Sequence, residues 1–142
     1  MNARWLLPVD GSLPALRAVD HVIGEALATP QTIDILLLNV QHPLPSDISR
    51  FVSTDVVHDY HRETGDAALA SARARLHAAG IGHAEHVLIG EVAPTIVDFA
   101  REHDCGLIIM GARGLGTVAG LLLGSVTQRV IHLTDLPVVV VK

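Results

Sequence analysis

Gly111-Ala112-Arg113-Gly114, followed after nine residues by Gly124-Ser125, is the part of this 142-residue chain whose residue types and spacing speak most plainly of chemistry. It follows the aliphatic run Leu107-Ile108-Ile109-Met110 and precedes a stretch, 126–133, with helical spacing. A strand that ends in glycines, a long loop and a helix start are therefore expected in that order. Glycine lets main-chain N–H groups come close to a ligand and permits positive φ. A helix N-terminus offers unpaired N–H groups and the positive end of its dipole to an anion. Ser125 adds a hydroxyl there, which can also cap the helix. Arg113, between the glycines, is a candidate phosphate clamp, and a solvated arginine is the alternative. Holding phosphate is the chemistry this pattern suits. Asp10, directly after the apolar run 6–9, is either a turn carboxylate bonded to the amides of Gly11 and Ser12 or a direct or metal-mediated contact to a nucleotide.

Other constellations are weaker. Among nine histidines, His58 and His61 are three apart in a helical stretch and could share a face, but no cysteine or third histidine joins them locally, so a solvated pair is expected. His83 and His86 are three apart in a strand and point to opposite faces. The pattern Gly-x-x-x-x-Gly-Lys-[Ser/Thr] is absent and Lys142 is the sole lysine, which excludes a P-loop ATPase. No Gly-x-Gly-x-x-Gly follows the first strand, which disfavours a dinucleotide oxidoreductase. Ser12 lies near Asp10 without a histidine-paired nucleophile. No catalytic residue and no side-chain metal site is expected, and Cys105 reads as a packing residue.

The elements that must position these residues follow from an unusual core. The chain is 49% hydrophobic but 3% aromatic, so Val, Ile, Leu and Ala must build the interior, as in a sheet buried on both faces. A net charge of −5 argues against a basic nucleic-acid face. One cysteine allows no internal disulfide, and a cytoplasmic setting is expected. The start runs straight into a strand without a signal-type segment, and no apolar run approaches the about 20 residues of a membrane helix. One domain over 1–142 is expected. Strands are expected at 4–9, 33–40, 84–89, 107–110 and 138–141. Helices are expected at 14–28, capped by Ser12 with Pro14 in its first turn, and at 55–79, 93–102 and 125–133. A polar loop is expected at 41–54, and Gly80 and Gly82 should end the long helix. Unbroken alternation of strands and helices implies a parallel sheet covered on both faces. Ligands of such sheets sit beyond the carboxyl ends of the strands, where chain order reverses. Asp10, Val40 and Gly111 all fall at such ends and converge on one crevice.

The spacing Gly-x2-Gly-x9-Gly-Ser, with the start Pro8-Val9-Asp10-Gly11-Ser12 and the end Pro137-Val138-Val139-Val140-Val141, resembles the universal stress protein family in its ATP-binding branch, over the whole chain. The resemblance implies a Rossmann-like, adenine nucleotide alpha hydrolase-like fold: a three-layer α/β/α sandwich with a five-stranded parallel sheet of order 3-2-1-4-5. It implies that the Pro8 and Val40 backbones border adenine, that Asp10 lies in the nucleotide crevice, and that Gly111 and Gly114 flank ribose and phosphates. Ser12, Arg113, Gly124, Ser125 and Val126 complete the implied nucleotide-binding set. The function it implies is that of an ATP-binding regulatory, stress-response protein, with Mg2+ or Mn2+ bridging the phosphates. Hydrolysis should be slow or absent, because no base is aimed at the γ-phosphate and no lysine neutralises it. It also implies a homodimer through the last strand. The alternative is a ligand-free dimerisation or scaffold protein of the same fold, as in the family's other branch. A nucleotidyl- or phosphoryl-transfer enzyme would need acidic metal ligands that the chain does not present. Two departures stand out: the loop interior 115–123 carries no charge, and Gly106 stands where the family commonly has an acidic residue.

Overall fold

The computed structural model describes residues 2–115 and 122–142. Ten elements follow one another: β1 (Ala3–Pro8), α1 (Leu13–Ala28), β2 (Ile33–Gln41), α2 (Ser46–Ser49), α3 (Thr54–Ala78), β3 (His83–Ile89), α4 (Val92–Glu102), β4 (Leu107–Gly111), α5 (Ser125–Leu133) and β5 (Val138–Val141). The strands form one parallel sheet of order β3-β2-β1-β4-β5. This is the expected α/β/α architecture and strand order. The four-residue α2 lies inside the segment expected to be loop; one turn is too short to show a helical period. No described helix is long and apolar enough to cross a membrane.

The two-residue period of the strands sorts the aliphatic side chains into two cores. Leu7, Ile35, Leu37 and Ile109 pack with Val19, Val22, Leu69 and Leu76 of α1 and α3. Leu6, Leu38, Ile108 and Met110 pack with Ile96, Phe99 and Val130 of α4 and α5, and Cys105 is buried among them. Two helices therefore cover each face, as right-handed crossovers require when chain order reverses at β1. Ser12 caps α1, its Oγ accepting from the Ala15 amide at 3.3 Å, with Pro14 in the first turn. At the end of α3, Gly80 adopts φ +72° while the Ile81 amide bonds back to the Leu76 carbonyl at 3.0 Å, a left-handed termination that glycine permits.

The same reversal opens a crevice. The β1–β4 ladder runs through Trp5↔Leu107 and Leu6↔Ile108 and stops there, while β1 stays paired with β2 as far as Pro8↔Leu38. Beyond Leu6 the carboxyl end of β1 therefore diverges from that of β4, at the place where α1 leaves on one face and α5 on the other.

Candidate functional site

A cleft of about 290 Å³ occupies this divergence, in the size range of small-ligand sites. Pro8, Asp10, Val40, Gly111, Arg113 and Val126 line it together. Leu38, Val92, Ile96 and Met110 give it an apolar floor, and His42 and Leu115 stand at its rim. Ser125, Val126, Arg129, His42 and Glu91 line an adjoining groove, which shares His42, Val92 and Val126 with the cleft.

Val40 owes its place to strand parity. Leu38 accepts from the Val9 amide at 2.8 Å on the β1 side, and Gln41 accepts from the Gly90 amide at 2.9 Å on the β3 side. Main-chain groups of alternate residues point the same way in a strand. The N–H and C=O of Val40 therefore face the β1 side, past the end of the β1–β2 ladder, into the cleft. The side chains on either side of Val40 are anchored on the opposite face. Buried Asn39 donates from Nδ2 to the Val9 carbonyl at 2.9 Å. Gln41 Nε2 donates to Asn39 Oδ1 at 3.0 Å and to the His61 carbonyl at 2.9 Å. Gln41 Oε1 accepts from His61 Nδ1 at 2.8 Å. A buried polar chain thus ties the crevice edge to α3. His61 is buried within it, whereas His58 is exposed, so the two do not form the solvated pair expected from their spacing.

Among the described residues, Asp10 makes two main-chain bonds. Its Oδ1 accepts from the Ser12 amide at 3.0 Å, closing the turn in which Gly11 adopts φ +85°. Its Oδ2 accepts from the Leu115 amide at 3.0 Å, across 105 residues of sequence. The turn bond suggested by the sequence is present, and a second, long-range bond accompanies it.

Of the two properties expected of the motif glycines, close main-chain approach to a ligand and positive φ, the second is not used. Among the described glycines, positive φ occurs at Gly11 and Gly80, not at Gly111, Gly114 or Gly124. A Cβ at Gly111 would sit 2.6 Å from the carbonyl carbon of Pro14, so glycine there lets the first turn of α1 cross β4. A Cβ at Gly114 would overlap Asp10 Oδ2. Gly124 donates its amide to the Ala112 carbonyl at 2.8 Å and closes the base of the long loop. Residues 116–121, and with them most of the uncharged segment noted in the sequence, lie outside the described residues.

At the start of α5 the cap position belongs to Gly124, and Ser125 makes no capping bond there. Its hydroxyl, expected as a possible cap, is exposed beside the groove instead. Thr127 supplies the link that the sequence did not suggest: its buried Oγ1 donates to the Gly111 carbonyl at 3.0 Å and joins α5 to the end of β4. The amides of the first turn of α5 have no intrahelical acceptors, so this start can receive an anion. Ser12 sits behind the cleft, buried, with its hydroxyl engaged in capping α1.

No group of three or more His, Cys, Asp or Glu residues is arranged for a metal ion among the described residues. Asp10 is the one carboxylate that lines the cleft among them. A divalent cation fits here only in company with the oxygens of a bound phosphate chain, since hard cations take several oxygen ligands.

The sequence profile of the universal stress protein family matches residues 1–142. Universal stress protein MJ0531 of Methanocaldococcus jannaschii is 32% identical over 143 residues, spanning 96% of this chain and 80% of that protein. The solved structure of the protein MJ0577 superposes with a TM-score of 0.83 at 28% identity, covering 100% of this chain and 96% of the other. A universal stress protein in complex with cAMP superposes with a TM-score of 0.71 at 29% identity, covering 99% and 97% of the two chains.

Proposed function

The chain belongs to the universal stress protein family, and on that premise we propose that it is a regulatory protein that binds ATP in the cleft between the carboxyl ends of β1, β2 and β4. The observation that carries this reading is the convergence of two kinds of recognition in one cleft. Val40 turns its main-chain donor and acceptor into an apolar slot, a combination that suits the edge of a purine. Arg113 and the start of α5 lie at the other side, where they suit phosphates. The likeness to a relative in complex with cAMP supports an adenine nucleotide as the ligand class.

In this reading Pro8 and Val40 border the base, and Asp10, Gly111 and Gly114 flank the ribose and the first phosphate. Gly124, Ser125, Val126 and Arg113 meet the phosphate chain, and Ser12 supports the site by holding α1 in place. Among the described cleft residues, Asp10 alone could contribute a side-chain carboxylate oxygen to Mg2+ or Mn2+, which would neutralise charge on the phosphates. The cleft supplies no lysine, and its one carboxylate is held by two main-chain amides, so the site is built to hold a nucleotide and not to turn it over. The proposal includes a cytoplasmic location and a homodimer formed along β5, an edge strand of four valines.

Two measurements on one preparation test this. Nucleotide released by denaturing natively purified protein should be adenine nucleotide. Turnover of Mg-ATP should stay far below about 1 per second, the range of ordinary phosphoryl-transfer enzymes. Steady turnover at that rate, lost in a Ser125 variant, would place the protein among enzymes instead.

A further inference from the structure

We propose that Asp10 is a positioning residue that latches the Gly114–Leu115 segment onto the end of β1, and that Gly114 is glycine because the latch leaves no room for a Cβ. Three observations meet here. Leu115 donates its amide to Asp10 Oδ2 at 3.0 Å. The other carboxylate oxygen is held by the Ser12 amide, at the start of a helix anchored in one of the two cores. A Cβ at Gly114 would overlap the oxygen that Leu115 engages. The carboxylate is therefore fixed on one side by the turn into α1 and on the other holds the first arm of the long loop. Gly124, bonded to the Ala112 carbonyl, closes that loop at its base.

The consequence for binding rests on the nucleotide reading above. Arg113 and Leu115 line the cleft on the arm that Asp10 holds. With the latch closed, that arm stands at the edge of the cleft before any ligand arrives, and binding need not bear the cost of ordering it. Without the latch, the same side chains are present but the arm is not fixed. Asp10 then acts through the loop's position, whatever contact it also makes to a ligand.

A double-substitution cycle read in two ways tests this on the full chain. In the ligand-free protein, the Leu115 amide should exchange slowly with solvent deuterium and should exchange at least about tenfold faster in Asp10→Ala, as loss of a protecting bond predicts. Asp10→Asn is the conservative companion. Ser12 and Leu115 donate to different carboxylate oxygens, and in asparagine one of those two positions is an NH2 group that cannot accept, so one of the two amides should lose its present bond and its protection. For Mg-ATP, Gly114→Ala should weaken binding about tenfold or more in the wild-type background and by less than about threefold in Asp10→Ala, since residues in contact are not additive. Unchanged Leu115 exchange in both Asp10 variants would overturn the latch. So would a Gly114→Ala penalty of the same size with and without the Asp10 carboxylate. If wild type fails to bind Mg-ATP at all, the nucleotide reading falls, while the exchange measurement still decides the latch.

Discussion

At the residue scale, Ser12 and Ser125 stand at two helix starts in different roles. Ser12 Oγ accepts the amide of Ala15, is buried, and holds α1 in register beneath the cleft. At α5 the cap is Gly124, and the Ser125 hydroxyl makes no capping bond. Loss of a capping hydroxyl costs about 1 kcal/mol, whereas exposed substitutions away from such features stay within about 0.5 kcal/mol. Ser12→Ala should therefore lower the urea midpoint clearly and Ser125→Ala should not, although Ser125→Ala should weaken nucleotide binding. Equal loss of stability in the two variants would show that Ser125 does cap α5.

At the element scale, β3 and its neighbours carry two titrations of different origin. His86 lies 4.9 Å from the ring of Phe99 and 5.6 Å from that of His103. Burial, and then repulsion from His103, push its pKa below the usual 6.5. The unfolded chain then binds the proton more readily, so this contribution to stability is complete above the unfolded value and is lost as pH falls through the depressed folded value. Glu85 is lowered to about 2, chiefly by its hydrogen bond from Arg73, with His83 assisting. Its contribution is complete above the unfolded value of 4.5 and is lost only as pH falls toward about 2. The melting temperature should therefore drop between about pH 7.5 and about pH 5.5 by more in wild type than in His86→Leu, because Glu85 is silent in that window. Parallel curves would show that His86 does not carry this pH dependence. These elements also mark what the sequence could disclose. The aliphatic runs and glycine stops disclosed the strands and the parallel sheet they build, because burial on both faces leaves that pattern, whereas the strand order 3-2-1-4-5 was implied by the family resemblance. The link from Asn39 through Gln41 to His61 was hidden, because it joins the end of β2 to α3 through side chains whose neighbours are set only by the fold. The bond from Asp10 to Leu115 was hidden for the same reason, and with it the steric demand at Gly114. The spacing of the motif was legible; the use of positive φ to explain it was not correct.

At the scale of the whole molecule, two features bear on the proposed assembly and on stability. β5 is an edge strand of valines, paired on one side with β4 only, and its half-buried side chains suit a second copy along its open edge. If the proposed homodimer forms along β5, Val140→Asp should shift it to monomer or aggregate in sedimentation. A wild-type monomer at about tens of micromolar, a working concentration for weak interfaces, would contradict the dimer. A ligand bound in the cleft would be coupled to the fold, because the walls come from β1, β2, β4, α4 and α5 together. A ligand present at about a hundred times its dissociation constant and bound only to the native state adds about 2.7 kcal/mol. For a domain of this size that corresponds to a rise of roughly 5–10 °C in melting temperature. The direct test is the melting temperature of wild type, Gly114→Val and the Cys105→Ala control, with and without saturating Mg-ATP. That rise is expected in wild type and in Cys105→Ala, and its loss in Gly114→Val; no rise in wild type, or an equal rise in Gly114→Val, would contradict nucleotide binding at this cleft.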